Sequence, residues 1–351
     1  MHNIDMTVTG GAFAAVRQPA WHMLGTVQEN PAGALELLRA AKADFPILRG
    51  AARLDEVVNL GDETLPISVR YTAVDERNTL IYRVHPETGE AQVLGVASGS
   101  YPLLTPAETI VGFGDAILGR GHTRAATAGA LDGGRQVFMS FELPDDLVIG
   151  GGDPATLYLT VNTSFDQSTA SAARISAIRV VCANTLEASR KAAKREIVFR
   201  KTARLDIQKM QAEAALKLVP EYVASLKKEA EELLSIQVTN AKFLEIIEDL
   251  WGPGDDAGKA KTTRWEGQRD QLMGLFATAT TQEFGRGTGW AAVNAVTEHR
   301  DWLSAVKSMN KKPMTDAEKD AVRFGRSVGL TKGVNIAEPK IAMAERVLAL
   351  V

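Results

Sequence analysis

Residues Ala177–Arg204, with the sequence AIRVVCANTLEASRKAAKREIVFRKTAR, combine a strand pattern, a turn and a dense run of positive charge. The apolar residues within Ile178–Val181 predict a buried strand. Asn184 and Thr185 can begin a helix, because their side-chain oxygens accept a hydrogen bond from a free backbone N–H. The pattern therefore predicts a strand that leads into a short, strongly basic helix.

Positive charge is concentrated in the second half of this segment. Between Arg190 and Arg204 the sequence has seven basic residues and a single acidic one, Glu196, which gives a net charge of +6. The whole chain has a net charge of −3, so the other 336 residues sum to −9. A long basic segment in an otherwise acidic chain predicts a site for a polyanion.

The chain ahead of this segment is patterned mainly for strands. Residues 31–44 predict a short helix, and Thr105–Glu108 begin another with a capping residue and an early proline. Residues 45–96 and 122–176 instead alternate apolar and polar positions, with turn-forming residues at 75–78 (DERN), Asp132–Gly134 and Gly150–Asp153. The predicted fold class is α+β, with an antiparallel meander sheet packed with helices.

The composition changes after Arg204. Residues 205–250 are almost all helix-forming, with a break at Pro220, and helical patterns return at 262–309 and near the C-terminus. We therefore predict that a mainly α-helical C-terminal region follows the sheet. Residues 1–204 would form an α+β core of a nucleic-acid-binding type, and residues 205–351 a helical region for oligomerisation or partner binding.

Catalytic signatures are missing from the sequence. There is no P-loop, HExxH, CxxC or GxSxG pattern, and the five histidines lack metal-ligand spacing. We therefore predict no catalytic residue, no metal ligand and no cofactor, and an enzyme such as a nuclease with a dispersed site is the weakest hypothesis. Trp21 either fills the edge of a core or offers an aromatic platform for a base.

The cysteine count, the first residues and the lack of long apolar runs favour a cytoplasmic protein. The chain has 351 residues and one cysteine, Cys182, so no intrachain disulfide can form. The first residues, MHNIDMTVTGG, lack the regions of a signal peptide, and no run of about 18 apolar residues occurs. We expect no membrane association.

Several segments together resemble the phage/plasmid-like protein family, a family of unknown function from phages, plasmids and prophages. They keep their order along most of the chain: RQPAWHMLGT, LGVASGSYPLLTPAE, AGALDGGRQVFMSFEL, VNTSFDQSTASA, RVVCANTLEAS with FRKTAR, and GTGWAAVNAVTEH. The resemblance implies a protein of the size and setting of phage recombination proteins, in the cytoplasm of a bacterial host. A sheet with a basic strand-to-helix edge is also similar to the single-strand annealing proteins of the Red-beta and RecT class.

Two hypotheses from different classes follow. The first is a phage-type protein that binds and anneals single-stranded DNA in recombination, as a homo-oligomeric ring or filament, without nucleotide hydrolysis. Its phosphate contacts would be Arg174, Arg179, Arg190, Lys191, Lys194, Arg195, Arg200, Lys201 and Arg204. The alternative is a non-catalytic phage assembly or host-modulating protein, in which the basic segment is a solvated helix face or binds an acidic protein.

Overall fold

The computed structural model describes residues 6–7, 10–16, 26–29, 33–59, 68–119, 124–179, 196–199, 201, 204–254, 256–305, 313, 319 and 337–350. Within them the chain is mixed, with a mainly antiparallel β-structure first and helices in the C-terminal half. The predicted α+β class is therefore confirmed.

The strands form two sheets and a short ribbon. In chain order they are β1 (Met6–Thr7), β2 (Gly10–Gly11), β3 (Phe13–Val16), β4 (Thr26–Gln28), β5 (Ile47–Asn59), β6 (Ser68–Val84), β7 (Ala91–Ser98), β8 (Arg124–Leu131), β9 (Gln136–Ile149), β10 (Asp153–Ser164), β11 (Ser171–Arg179) and β12 (Glu196–Phe199). A seven-stranded sheet has the order β12-β11-β10-β9-β8-β3-β4, a three-stranded sheet has the order β5-β6-β7, and β1 pairs with β2. All neighbouring strands are antiparallel except β3 and β4.

The helices lie against the larger sheet and continue beyond it. They are α1 (Ala34–Ala40), α2 (Pro106–Leu118), α3 (Leu205–Lys217), α4 (Val219–Ser235), α5 (Asn240–Trp251), α6 (Lys259–Thr278), α7 (Gly289–Glu298) and α8 (Ala337–Leu348). A π-helical turn, His299–Leu303, extends α7. Helix α2 begins with the predicted capping box, in which Thr105 and Glu108 bond each other's backbone N–H groups. Pro220 lies in the first turn of α4, where it separates α3 from α4 as predicted.

The predicted basic helix does not extend through Glu196–Phe199. These four residues form strand β12, with Ala173 of β11 opposite Ile197. Ile197 and Val198 are β-branched and suit a strand, and Phe199 stacks on Phe113 of α2 with the ring centroids 5.6 Å apart. The residues between β11 and β12 lie outside the described part of the chain.

The turn predicted at residues 75–78 is an irregularity within one long strand. The pairing shifts from Ala51–Thr79 to Ala52–Asp75, so β6 bulges where a chain reversal was expected. The Asp75 carboxylate accepts hydrogen bonds from the backbone N–H groups of Arg77 and Asn78, at 2.8 and 3.1 Å. Turn-forming residues therefore stabilise a bulge here, because the Asp75 side chain satisfies N–H groups that the ladder leaves free.

The three-stranded sheet has a two-stranded extension. Strand β7 pairs with β6 only from Asn78 to Val84, whereas β5 pairs with β6 as far as Asn59 and Ser68. Residues 52–59 and 68–75 therefore form a β-hairpin arm that extends beyond the end of β7.

One buried cluster joins the sheets to the helices. It includes Phe141 of β9, Phe113 of α2, Tyr222 of α4 and Trp290 of α7. The predicted boundary at residue 204 remains a prediction, and the apolar core continues across it.

Candidate functional site

The basic segment of the sequence is attached to one edge of the seven-stranded sheet. Strand β11 leads into residues 180–195, and the chain returns as the edge strand β12, with Glu196 opposite Arg174. Both ends of this 16-residue connection therefore belong to neighbouring strands at the same edge.

Two described arginines of the predicted set, Arg174 of β11 and Arg204 after β12, each bind an acidic side chain. The Arg174 guanidinium donates to Asn162 Oδ1 at 2.9 Å and to Glu196 Oε1 at 3.0 Å, and 35% of its side chain is exposed. Arg204 donates to Asp206 Oδ2 at 2.9 Å with 72% of its side chain exposed. An exposed ion pair contributes little energy, so Arg204 can exchange Asp206 for another anion at little cost.

Lys201 has a different environment from the other two cations. Its ammonium donates to the Ser164 carbonyl and to the Tyr101 hydroxyl, the latter at 3.1 Å. It also lies 4.2 Å from the centre of the Phe165 ring. Burial lowers the pKa of Lys201 to about 8, and the negative charge of Asp166 opposes that change. Lys201 is therefore an internal cation that fixes residues after β12 to the β10–β11 turn.

A second buried cation, Arg83, completes a cluster of two cations and two aromatic rings around Phe165. Arg83 is fully buried, lies 4.6 Å from the centre of the Phe45 ring, and donates to Gln92 Oε1 from Nε at 3.0 Å and from Nη2 at 2.8 Å. The Phe45 ring meets the Phe165 ring edge-on, with the centroids 6.1 Å apart. The two rings, Phe45 and Phe165, thus lie between two cations, Arg83 and Lys201, an arrangement stabilised by cation–π attraction in a dry environment.

The β10–β11 turn brings several of the quoted segments together. Phe165 N–H donates to the Arg135 carbonyl at 2.7 Å, and Gln167 Nε2 donates to the Val96 carbonyl at 2.9 Å. Gly95 lies directly under the turn, because a Cβ at that position would be 2.9 Å from the Asp166 Cα. The segments LGVASGSYPLLTPAE, AGALDGGRQVFMSFEL, VNTSFDQSTASA and FRKTAR therefore meet around Phe165 and Lys201.

The structure accounts for only part of the predicted phosphate-contact set. Arg174, Lys201 and Arg204 are described with their side chains, and Arg179 is the last residue of β11, known by its backbone position. The other candidates lie outside the described residues; they are Arg190, Lys191, Lys194, Arg195 and Arg200. Trp21 and Cys182 also lie outside the described residues.

Sequence reasoning missed Arg83, Phe45 and the turn around Phe165. Arg83 occupies an alternating strand position, where an arginine ordinarily indicates a solvent-facing side chain. The glycine pair Gly133-Gly134 was the one sequence signal for a close contact at this place. Gly134 has φ +82° and lies against the Arg83 guanidinium, so a side chain at position 134 would collide with that guanidinium.

Two further observations concern metal binding and membrane spans. Among the described residues, no group of three or more histidine, cysteine, aspartate or glutamate side chains is placed to hold a metal ion. In the same part of the chain, no helix is long and apolar enough to cross a membrane.

The chain belongs to the family described as a domain of unknown function, DUF932, whose match covers residues 93–321. This range begins in β7 and includes the β10–β11 turn, the β11–β12 edge and helices α2–α7. No curated protein matches the chain, and no solved structure matches it.

Proposed function

We propose that the protein binds single-stranded DNA through the β11–β12 edge and promotes annealing of complementary strands, as a phage-type recombination protein in the cytoplasm of a bacterial host. The observation that carries the proposal is the net charge of +6 over residues 190–204, attached to a sheet edge in a chain that is otherwise acidic. The phage and plasmid setting rests on the family-like segments quoted above.

The contacts of the described cations suggest which candidate residues would bind phosphate and which would support the site. Arg174, opposite the residue that follows the connection, and Arg204, five residues after β12, have partly or largely exposed side chains and suit phosphate contacts. Lys201 has its ammonium engaged by Ser164 and Tyr101, and it suits a supporting role beneath the edge. The proposed contact surface is therefore the connection itself with its two flanking arginines.

The test is fluorescence anisotropy with a labelled single-stranded oligonucleotide across a series of salt concentrations. The six cations of this surface predict a slope of log affinity against log salt of roughly −4, and the variant Lys191→Ala/Lys194→Ala/Arg195→Ala should reduce it to about −2. Because such contacts ignore base identity, we expect affinity to change little with oligonucleotide sequence.

A matched control removes three positive charges from the exposed surface of α3 and α4, with the variant Lys209→Ala/Lys217→Ala/Lys228→Ala. It has the same net charge as the test variant and should keep the wild-type slope. Equal losses in both variants would mean that only total charge matters and would contradict an edge-specific site. No binding by the folded wild-type protein at low salt would overturn the DNA proposal and favour an acidic protein partner.

A further inference from the structure

The outer edge of β5 is long and has no partner among the described residues. β5 spans 13 residues, Ile47–Asn59, and forms one side of the three-stranded sheet. Of the described backbone hydrogen bonds outside the strand ladders, none involves these residues. Edge strands are normally protected by shortness, charged side chains (above all lysine), proline or a bulge, because their free N–H and C=O groups pair readily with another strand. β5 contains neither lysine nor proline, and the extra residues at the bulge belong to β6. Its charged residues are two arginines and two acids, so they can pair with one another across a contact between two copies.

The arm also lacks the support that a two-stranded hairpin needs. β7 does not reach it, and its described side chains other than the half-buried Ala52 are exposed, with Val74 at 55%. In the backbone register, Leu54 is paired with Ala73, and Val58 is paired with Val69. An isolated two-stranded hairpin is marginally stable in water, and three or more strands are usually required. The arm is therefore an incomplete sheet.

The sequence of β5 is complementary to itself in an antiparallel register centred on Leu54. A register centred on Ala52 would place Arg49 opposite Asp55, but the Arg49 guanidinium already donates to the Gly99 and Tyr101 carbonyls. Two antiparallel copies of one strand are related by a two-fold axis perpendicular to the sheet. The axis passes between one residue and the same residue of the other copy, and the remaining residues pair symmetrically about it. With Leu54 at the axis, Arg53 of each copy lies opposite Asp55 of the other. Centring on Arg53, Asp55 or Glu56 would instead place two like charges opposite each other, which destabilises a sheet.

We infer that β5 is a self-association edge, which pairs antiparallel with β5 of a second copy of this chain around Leu54. The pairing joins two three-stranded sheets into one six-stranded sheet. It gives each arm a third strand. The contact is isologous and closes at a dimer. The inference goes beyond the proposed function and does not depend on DNA binding.

The first test is a disulfide at the axis in full-length protein. Residues opposite each other in an antiparallel pair have Cα atoms about 4.5–5.5 Å apart, within the range that a disulfide spans. In a Cys182→Ser background, Leu54→Cys should give a covalent dimer on mild oxidation, seen on a non-reducing gel. Ala51→Cys is the matched control, because residue 51 lies opposite residue 57 and the two introduced thiols would be about 20 Å apart. Cross-linking of both variants alike, or of Ala51→Cys alone, would overturn the register.

The second test exchanges charges and measures mass by sedimentation equilibrium. Because Asp55 also binds Arg70 within the arm, with Nε and Oδ1 3.1 Å apart, all variants carry Arg70→Ala. Arg53→Asp alone and Asp55→Arg alone should each weaken dimerisation at least tenfold, and the double exchange should restore it, because it recreates two opposite-charge pairs. A wild-type chain that stays monomeric, or a dimer indifferent to all three variants, would overturn the inference.

Discussion

At the scale of single residues, Lys201 shows that a lysine within a basic run can have a buried ammonium. Its sequence context, FRKTAR, gives no sign that the middle of a basic run turns inward. The contacts with Ser164, Tyr101 and Phe165 depend on residues distant in sequence. Arg204, three positions later, has an exposed side chain, as its neighbours predict.

The depressed pKa of Lys201 predicts a pH dependence of stability. In the unfolded chain the amine titrates at its ordinary value of 10.5, and in the folded chain it titrates at about 8, because burial disfavours the charged form. The unfolded state therefore binds more protons between these values, and the free energy of unfolding should rise as pH increases from about 8 to about 10.5. Over that interval the gain is about 3 kcal/mol.

Urea unfolding at pH 7.5 and pH 10 measures this effect against the variant Lys201→Met, which has no amine to titrate. We expect the wild type to gain stability relative to the variant at the higher pH. Lys217→Met, at the exposed end of α3, should follow the wild type at both pH values. Parallel behaviour of wild type and Lys201→Met would contradict a buried, desolvated Lys201.

At the scale of elements, helix α7 is attached to the sheet by a hydrogen bond between buried groups. Trp290 Nε1 donates to Asp153 Oδ2 at 2.8 Å, and both residues are almost fully buried. Trp290 lies in the first turn of α7, and Asp153 begins β10. A buried carboxylate that loses a donor keeps its desolvation cost, so the bond matters more than a surface contact of equal length.

We therefore expect Trp290→Phe to destabilise the fold by about 2–4 kcal/mol, through the lost donor and the smaller ring. Thermal or urea unfolding measures the loss. Trp265→Phe on α6 is the matched control, because Trp265 is also buried but the Asp153 bond is made by Trp290, so this substitution removes ring volume and leaves that bond in place. A cost for Trp290→Phe no larger than that of the control would contradict a role for the Asp153 bond.

Elements with strong local signals were predictable from the sequence, and those decided by distant contacts were not. The capping box at Thr105 and the break at Pro220 are set by chemistry within a few residues, and both occur where predicted. Strand β12 was predicted as part of a helix, because its basic neighbours favour a helix and its pairing with β11 is not visible locally. The cluster around Phe165 was invisible for the same reason, since it joins four separate parts of the chain.

At the scale of the whole molecule, the apolar core continues across the change of composition at residue 204. Helix α3 packs against α2, and Gln208 of α3 donates to the Glu108 carbonyl of α2. Tyr222 and Leu226 of α4 belong to the same buried cluster as the sheet residues. Composition alone therefore locates a change of secondary structure more reliably than a boundary between independently folding units.

We expect the full chain to unfold in a single cooperative transition, and a chain ending at residue 204 to lack a stable fold, because it would expose the surface of α2 that α3 covers. Coincident urea curves from far-UV circular dichroism and tryptophan fluorescence would support one unit. A truncated chain with its own sharp, reversible transition would contradict this and establish the boundary at residue 204.

The contact between Lys201 and the Phe165 ring also gives the protein an internal spectroscopic label. In a magnetic field, an aromatic ring shields the protons that lie above its face. The Lys201 ammonium nitrogen lies 4.2 Å from the centre of the Phe165 ring, so the methylene protons next to that nitrogen should resonate upfield of those of an exposed lysine. Lys201 follows Arg195 by six positions. Any ligand that pulls on the β11–β12 connection hard enough to move strand β12 would shift these resonances, and one that binds without disturbing the strand would leave them in place.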